Sequence, residues 1–187
     1  MHPTSLARNS WAPPPRSCSF AGWLRRWARV PRKKFPPEPR PNMIEAITVR
    51  KAEAADYARI TQLLTDAALP LEGLTGHDNF FVLCREDRIV GCAAIERYAK
   101  YGLLRSVALE PHERRHGFGR RLVEKAVQQA RRDGLCELVL FTTTAAPFFE
   151  RLGFHLIQRD AVPAPVRASV EFQSACPASA AVLHMTL

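Results

Sequence analysis

The sequence predicts an α/β domain in which a mixed, mostly antiparallel sheet is flanked by helices. Two observations favour this fold class. Between residues 79 and 109, three apolar runs of strand length follow one another with short breaks, which is typical of an antiparallel meander. After residue 110, helical periodicity alternates with short apolar runs, so we expect the later strands to be joined by helical crossovers.

The individual elements follow from hydrophobic periodicity and from breakers. A turn-rich connection is expected at 69–76, which contains Pro70 and two glycines. The clearest helix has apolar residues at helical spacing, namely Leu122, Val123, Ala126, Val127 and Ala130. Strands are expected at 47–50, 79–85, 88–98, 101–109, 136–142, 154–158 and 181–187, and helices at 54–67, 122–132, 147–152 and 165–175.

The first 42 residues differ in composition from the rest. They contain nine of the fifteen prolines, all three tryptophans, and nine Lys or Arg residues against one acidic residue, Glu38. Residues 43–187 carry eighteen basic and seventeen acidic side chains, so the net charge of +9 lies almost wholly in residues 1–42. Because prolines cannot propagate a helix or a central strand, we expect 1–42 to be a disordered basic tail. The remainder, 43–187, suits one domain with one core.

Three interpretations of this tail are open. It is rich in Arg and poor in acidic residues, as organelle-targeting peptides are, although its prolines disfavour an amphipathic helix. Its segment Trp23-Leu24-Arg25-Arg26-Trp27 interleaves aromatic and basic residues, as membrane-binding and nucleic-acid-binding arms do. The third interpretation, which we favour, is that translation starts at Met43, directly before the first foldable segment.

Composition argues against several kinds of partner for the domain. A net charge near +1 gives 43–187 no basic footprint for nucleic acid, and no apolar run of 18 residues is present to span a membrane. The cysteines at 84, 92, 136 and 176 form no Cys-x-x-Cys pair, and the histidines lack metal-ligand spacing. We expect buried thiols, no metal, a cytoplasmic protein, and a monomer or homodimer without nucleic-acid or membrane partners.

The most informative segment of the chain is Arg114-Arg115-His116-Gly117-Phe118-Gly119-Arg120-Arg121. It lies between a strand-like run and a helix-like run. Two glycines let a backbone approach an anion closely, and the N–H groups and dipole of a first helical turn attract negative charge. Its spacing differs from that of nucleoside-triphosphate loops and of dinucleotide-binding loops. The segment therefore predicts another kind of phosphate-binding loop, with a helix cap on a solvated basic surface as the alternative.

The spacing Arg114-x-x-Gly117-x-Gly119 resembles the acetyl-CoA pyrophosphate loop of the GNAT (Gcn5-related) N-acetyltransferases. A second segment, 145–154, ends in Leu-Gly-Phe and resembles the late helix of that family. An apolar strand-like run lies between the two, and the order of elements matches the family along 43–187. The resemblance implies the acyl-CoA N-acyltransferase (GNAT) fold, acetyl-CoA as co-substrate, and transfer of an acetyl group to an amine.

The resemblance also implies a set of cofactor-binding residues. The strand before the loop and the strand at 136–142 are expected to splay apart, with the acetyl-pantetheine arm between them. A backbone N–H near Val107 would hold the thioester oxygen. The implied cofactor-binding residues are Ser106, Val107, Ala108, Leu109, Arg114, Arg115, His116, Gly117, Phe118, Gly119, Arg120 and Thr143.

Two positions depart from the family's pattern. Phe149 stands where many relatives carry a tyrosine that protonates the leaving thiolate. Another group or water must then protonate the thiolate, or no acid is needed, because a thiolate is a tolerable leaving group near neutral pH. Thr142-Thr143-Thr144 stand in place of an asparagine after the fifth strand. Their hydroxyls are candidates for bonding pantetheine, with strand-end packing as the alternative role.

Glu96 is the candidate for the general base. Strict alternation along the predicted strand puts Val90, Cys92, Ala94 and Glu96 on one face. A carboxylate that ends a run of small apolar residues points either into a cleft or into solvent beyond the sheet edge. In a cleft, burial would raise the pKa of Glu96 toward useful values.

Two arginines are candidates for binding the acceptor. Arg105 interrupts an apolar strand and needs an anionic partner, either Glu96 or a substrate carboxylate. Arg167 lies in the predicted last helix, where it is available for a substrate carboxylate or for an exposed ion pair with Glu171 at i, i+4. His77 lies in the connection that covers the acceptor site in this fold, but a single loop histidine is usually just exposed.

The segment 165–180 resembles the C-terminal signature of one subgroup, the arsenic-resistance N-acetyltransferases, whose chains also carry a Leu-Leu-Arg-Ser run like 103–106. This resemblance implies a small, amino-acid-like acceptor and a setting in arsenic detoxification. Metabolic acetylation of an amino acid such as glutamate is the first alternative. A non-catalytic, regulatory acetyl-CoA-binding domain and a nucleic-acid-associated protein acting through its tail are the others.

Overall fold

The computed structural model describes residues 46–187, which form a seven-stranded sheet of order β1-β2-β3-β4-β5-β7-β6. The β4–β5 pair is parallel, and the other neighbouring pairs are antiparallel. The predicted fold class is therefore confirmed, while the predictions for the tail and its boundary lie outside the described residues. The strands are β1 (Ile47–Lys51), β2 (Phe80–Arg85), β3 (Arg88–Tyr98), β4 (Tyr101–Leu109), β5 (Glu137–Thr142), β6 (His155–Ile157) and β7 (Ala181–Thr186).

Within residues 46–187, four α-helices accompany the sheet: α1 (Tyr57–Asp66), α2 (Phe118–Arg132), α3 (Ala146–Glu150) and α4 (Ala164–Arg167). Short 3-10 turns lie at Ala54–Asp56, Pro111–Glu113 and Arg159–Ala161, and a π-helical turn lies at Glu171–Ala175. Across this part of the chain, no helix has the length and apolarity that a membrane span requires.

The helix predicted at 165–175 is wrong as a single element. Helix α4 ends at Arg167, and the π-helical turn begins four residues later. Ser169 separates the two, because its hydroxyl oxygen accepts a hydrogen bond from the backbone N–H of Phe172 at 3.2 Å. A side chain that bonds the local backbone in this way competes with helix continuation.

The two faces of the sheet carry separate apolar clusters. On one face, α2 buries every apolar residue predicted for it, so its periodicity correctly predicted the packed side. On the opposite face, α1 buries Ile60, Leu63 and Leu64 against residues of β2 and β3. Burial of one such large side chain contributes about 1.5–3 kcal/mol, so packing of these clusters fixes both helices on the sheet.

The strict alternation predicted along β3 is wrong at one residue. Val90 packs in the cluster beneath α2, whereas Cys92 and Ala94 pack beneath α1. The β2–β3 register shifts between Leu83 and Cys84. Such a bulge inserts an extra residue and changes which face the following side chains occupy.

Strands β4 and β5 diverge after three residue pairs. Pairing runs from Tyr101↔Glu137 to Leu103↔Val139, although β4 continues to Leu109. The β3–β4 register also shifts between Cys92 and Ala94, and nearby Ser106 has a positive φ of 56°. Beyond Leu103, the edge of β4 is therefore not paired with β5, and the strands splay as the resemblance implied.

The four cysteines of the described region are free thiols. Cys84 and Cys92 are buried, Cys176 is half-buried, and Cys136 is exposed. The prediction of buried thiols is wrong for Cys136, which lies at the end of the sheet just before β5. Its backbone N–H donates to the carbonyl oxygen of Lys100 and its carbonyl oxygen accepts from the N–H of Leu187, but its side chain is exposed.

Candidate active site

The loop before α2 presents backbone N–H groups without partners in the helix. The helix begins at Phe118, four residues earlier than periodicity predicted, and Gly117 provides no side-chain cap. The first bond from this turn joins the N–H of Arg121 to the carbonyl oxygen of Gly117 at 3.1 Å. The N–H groups of the preceding helical residues, Phe118, Gly119 and Arg120, therefore lack helical acceptors and are available to an anion.

The two glycines of this loop serve different purposes. Gly117 has a φ of 80°, a left-handed conformation that side chains with a Cβ adopt at a cost. Gly119 has an ordinary φ, but a Cβ there would lie 3.4 Å from both Leu109 and Phe148. Gly117 thus turns the chain, and Gly119 keeps the first helical turn close to β4 and α3.

Ion pairs anchor the turn that leads into the loop. Glu113, whose side chain is 2% exposed, accepts hydrogen bonds from Arg85 at 2.9 and 3.0 Å. Arg88 bridges Glu110 and Glu113 at 3.2 and 3.5 Å, and Arg59 also pairs with Glu110. No local sequence pattern indicates this network, because its members come from α1, β2, β3 and the 3-10 turn at Pro111–Glu113.

A cavity of about 980 Å³ adjoins the loop and the gap between β4 and β5. We call residues 114–120 its loop end. Ten predicted cofactor-binding residues line the cavity, namely Ser106, Val107, Ala108, Leu109, Arg114, Arg115, Gly117, Gly119, Arg120 and Thr143. The side chains of His116 and Phe118 instead contact each other, with ring centroids 5.7 Å apart, and neither residue lines the cavity.

Helix α3 contributes an aromatic wall without a hydroxyl group. Phe149 lines the cavity and packs edge-to-face against Phe148 and Phe154, with centroids 5.0 and 5.8 Å apart. The hydroxyl oxygen of Thr142 accepts a hydrogen bond from the N–H of Ala145 at 3.0 Å, which holds the start of α3. Thr142 thus has a structural role, and the neighbouring Thr143 is exposed and lines the cavity.

A buried charge cluster lies at another part of the cavity wall. The side chain of Arg105 is 2% exposed. Its Nη1 donates to Glu96 Oε1 at 2.7 Å, and its Nη2 donates to the carbonyl oxygen of Glu72 at 2.8 Å. The same Nη2 lies 2.9 Å from Glu171 Oε2. We call Arg105 with Glu72, Glu96 and Glu171 the charged end; Arg105 and Glu171 line the cavity.

Both carboxylate oxygens of Glu96 accept hydrogen bonds from other side chains of the protein. Its Oε1 accepts from Arg105, and its Oε2 accepts from the hydroxyl of Tyr98 at 2.8 Å. Burial, together with this hydrogen bond to a carboxylate, raises the pKa of Tyr98 to about 12. Glu96 does not line the cavity, so the geometry does not favour it as the base.

Glu171 is a residue of the cavity wall that the sequence did not indicate as part of the site. Burial raises the pKa of Glu171, opposed by Arg105 and reinforced by Glu96 and Glu72. The expected exposed pair between Arg167 and Glu171 is absent, because the π-helical turn directs Glu171 to Arg105. No local pattern indicated this, since the two partners are 66 positions apart.

Arg167 and His77 lie away from the cavity. The guanidinium of Arg167 donates to the backbone carbonyls of Val162 and Asp160 at 2.7 and 2.9 Å, and Arg167 does not line the cavity. Its role in binding the acceptor stays a prediction. His77 lies 3.2 Å from Asp78 in an exposed connection. Among residues 46–187, no group of three or more His, Cys, Asp or Glu is placed to hold a metal ion.

Comparison with known proteins identifies the family. The family model described as an acetyltransferase (GNAT) domain matches residues 76–156. An uncharacterised N-acetyltransferase of Chlorobaculum tepidum is 32% identical over 120 residues, which are 61% of this chain and 77% of that protein. The chain belongs to the GNAT N-acetyltransferases. It is therefore an enzyme of the acetyltransferase class, as the loop and late helix indicated.

Other similar proteins include amino-acid acetyltransferases. The GNAT chain is 30% identical to the Enterobacter enzyme over 98 residues, which are 51% of this chain but only 22% of that protein. N-acetylglutamate synthase of Neisseria gonorrhoeae, solved with coenzyme A and N-acetyl-glutamate, shares the fold with a TM-score of 0.65 at 22% identity, over 76% of this chain and 35% of that one. Rv2747 of Mycobacterium tuberculosis, solved with CoA and a second ligand, has a TM-score of 0.66 at 26% identity, over 75% of this chain and 99% of that one.

Proposed function

We propose that this N-acetyltransferase moves the acetyl group of acetyl-CoA to the amine of a small, amino-acid-like acceptor. The observation that carries the proposal is that residues of the loop end and the buried pair Arg105–Glu171 line the same cavity. One end offers backbone N–H groups to a diphosphate, and the other offers fixed charges to a polar acceptor.

Acetyl-CoA fits the loop end. The N–H groups after Gly117 and the arginines around them suit the diphosphate, and the absence of a Cβ at Gly119 leaves the close approach open. The pantetheine arm would follow the edge of β4 beyond Leu103, where β5 no longer pairs. A backbone N–H near Val107 would then donate to the thioester oxygen, and Thr143 would contact the arm.

Two classes of acceptor are supported by different observations. The named relatives, amino-acid acetyltransferases and N-acetylglutamate synthase, support a proteinogenic amino acid such as glutamate. The resemblance of 165–180 to the arsenic-resistance subgroup supports an organoarsenical amino acid. In both cases Arg105 would influence acceptor binding from the cavity wall, whereas the position of Arg167 gives no support for a second arginine clamp.

The leaving thiolate would be protonated without a tyrosine from α3. Phe149 has no proton to donate, and it packs between two other phenylalanines. An ordinary thiol has a pKa of about 8.5, so at neutral pH a free thiolate takes its proton from water. We therefore propose a reaction in which solvent supplies this proton.

The proposal is tested with the full chain by calorimetric titration with acetyl-CoA and by assays of thiol release with a panel of acceptors. The panel contains glutamate, glutamine, other proteinogenic amino acids, and organoarsenical amino acids. We expect micromolar acetyl-CoA binding, of about −8 kcal/mol, and acceptor-dependent thiol release with one of these classes. Acetyl-CoA binding with thiol release that no acceptor accelerates would overturn the proposal in favour of a regulatory domain.

A further inference from the structure

Two carboxylates contact the same buried guanidinium, but they differ in what else they contact. Glu96 has both oxygens bonded, one to Arg105 and one to Tyr98, and it does not line the cavity. Glu171 lines the cavity and accepts no comparable pair of hydrogen bonds. Glu171 is therefore the carboxylate of this cluster that is placed to meet an acceptor.

One carboxylate oxygen of Glu171 is buried in an ion pair with Arg105 but accepts no directed hydrogen bond. Glu171 is 8% exposed, and its Oε2 is fully enclosed without a hydrogen-bond partner. The contact of 2.9 Å with Arg105 Nη2 is close enough for an ion pair, but the N–H is not directed at this oxygen. A buried oxygen without a directed hydrogen bond retains the capacity to accept one.

Contacts from two parts of the chain surround the backbone of Glu171. The carbonyl oxygen of Glu171 accepts from the N–H of Cys176 at 3.1 Å across the π-helical turn. The connection before β2 packs against the neighbouring Val170 and against Arg105, since a Cβ at Gly73 would lie 3.0 Å from Val170 and 3.3 Å from Arg105. These contacts hold the backbone that carries Glu171 beside Arg105.

We propose that Glu171 is the general base, which takes a proton from the ammonium group of the acceptor. The inference rests on the proposed function and adds the group that activates the nucleophile. When the amine nitrogen attacks the thioester carbon, the C–N bond forms and the C–S bond breaks. The amide product lacks two protons that the ammonium carried. One passes to Glu171 and then to solvent, and the other passes from the nitrogen to solvent after the attack. Solvent returns one proton to the coenzyme A thiolate, which leaves as the thiol, so that the net reaction releases one proton.

The charges around Glu171 suit this role. Arg105 on β4 favours its ionised form, while burial, Glu96 on β3 and Glu72 in the connection favour its protonated form. Cys176, also on the cavity wall, has its own pKa raised by burial and by Glu171, so it stays a neutral thiol beside the carboxylate. A carboxylate with a raised pKa is a stronger base for an ammonium than an ordinary one.

The test compares Glu171→Gln, Glu171→Asp and Glu96→Gln, using the acceptor found active with the wild type. We expect Glu171→Gln to lower kcat by roughly 10²–10⁴-fold, with unchanged acetyl-CoA affinity and an unchanged far-ultraviolet circular dichroism spectrum. Its remaining activity should rise with pH up to the pKa of the acceptor's own amine, and the acidic limb set by Glu171 should disappear. Glu171→Asp should retain the wild-type shape of the pH profile at a lower rate.

Glu96→Gln is the matched control, because it neutralises the other carboxylate on the same guanidinium. We expect it to lose much less activity and to keep the acidic limb. Equal losses in Glu171→Gln and Glu96→Gln, or an unchanged pH profile in Glu171→Gln, would overturn the inference and leave Glu171 as a partner of Arg105. A wild type that acetylates nothing in the panel would instead overturn the proposed function itself.

Discussion

The loop end of the cavity consists of backbone groups from one segment, whereas the charged end consists of groups from four separate segments. At the loop end, three consecutive residues, 118–120, offer backbone N–H groups without helical acceptors, and the chain reaches that geometry through one left-handed glycine and one helix start. At the charged end, Glu72, Glu96, Arg105 and Glu171 come from a connection, two strands and a π-helical turn. Local spacing therefore defines the first end, and only packing defines the second.

The two ends also differ in what holds them in place. The loop end faces open space at Gly117, and its preceding turn is anchored by the carboxylates of Glu110 and Glu113. The charged end buries one guanidinium between two carboxylates, which costs desolvation free energy that only the mutual pairing offsets. Substitutions at the loop end should therefore affect ligand affinity, and those at the charged end should affect stability as well.

The largest expected effect is that of Arg105→Ala on stability. Removal of the guanidinium leaves Glu96 and Glu171 buried without their counter-charge. We expect the free energy of unfolding near neutral pH to fall by about 3–5 kcal/mol. Urea unfolding measures this, and the loss should shrink in acid, where the carboxylates are neutral.

Arg120→Ala is the control for Arg105, because Arg120 forms an exposed i, i+4 pair with Glu124. It should lower the free energy of unfolding by no more than about 0.5 kcal/mol. Similar losses in both variants would show that the charged end is not held by its buried pairing, and the contrast between the two ends would fail.

The next effect concerns acetyl-CoA affinity in Gly119→Val. A Cβ at Gly119 would lie 3.4 Å from Leu109 and Phe148, which both line the cavity, so a branched side chain would fill space at the loop end. We expect the dissociation constant for acetyl-CoA to rise by ~10-fold or more, or about 1.4 kcal/mol, in calorimetric titrations.

Arg121→Ala provides the comparison for Gly119→Val. Arg121 is exposed and does not line the cavity, so its contribution is a screened, longer-range charge. Its effect on acetyl-CoA affinity should be smaller and should vanish in high salt. Unchanged affinity in Gly119→Val would place the diphosphate away from the loop end.

Glu171→Gln should change how stability depends on pH. Burial raises the pKa of Glu171 above its ordinary value of 4.5, so the folded protein binds this proton more tightly than the unfolded chain does. Its stabilising contribution is fully present below pH 4.5 and is lost as pH rises through the raised pKa. We expect the melting temperature of the variant relative to wild type to increase from about pH 4 to about pH 8.

Glu150→Gln, at an exposed position of α3, is the control for this pH dependence. Its melting temperature should follow the wild-type curve in parallel over the same range. A parallel curve for Glu171→Gln would mean that Arg105 fully compensates the burial of Glu171, and the charged end would then resemble an ordinary ion pair.

The smallest expected effect is that of removing residues 1–42. The sheet, both apolar clusters and the cavity are formed within residues 46–187. A chain that begins at Met43 should therefore keep the melting temperature and the acetyl-CoA affinity of the full chain. Loss of folding, or a changed affinity for acetyl-CoA, would show that the basic tail contributes to one of the two ends.

The predictions from the sequence succeeded where the deciding interactions are local. Helix α2 buries the residues that its periodicity selected, and the loop at its start has the conformation that two glycines suggested. The prediction of strict alternation along β3 was wrong, because a β-bulge places the side chains of Val90 and Cys92 on opposite faces of the sheet. The prediction of one continuous last helix was wrong, because the hydroxyl of Ser169 accepts a hydrogen bond from the backbone N–H of Phe172 and a separate π-helical turn follows.

The sequence by itself determined the fold class and the position of the glycine turn before α2, because periodicity and glycine spacing act over a few residues. Its resemblance to the GNAT acetyltransferases, carried by two short motifs, indicated the family to which the chain belongs. Tertiary structure alone decided which charged residues meet. Glu171 forms its ion pair with Arg105 and not with Arg167, whose guanidinium bonds a backbone carbonyl. The hydroxyl of Tyr98 donates a hydrogen bond to the second carboxylate oxygen of Glu96. The physical reason is that a buried charge is stabilised by whichever partner packing brings within hydrogen-bond distance, and sequence separation does not reveal that partner.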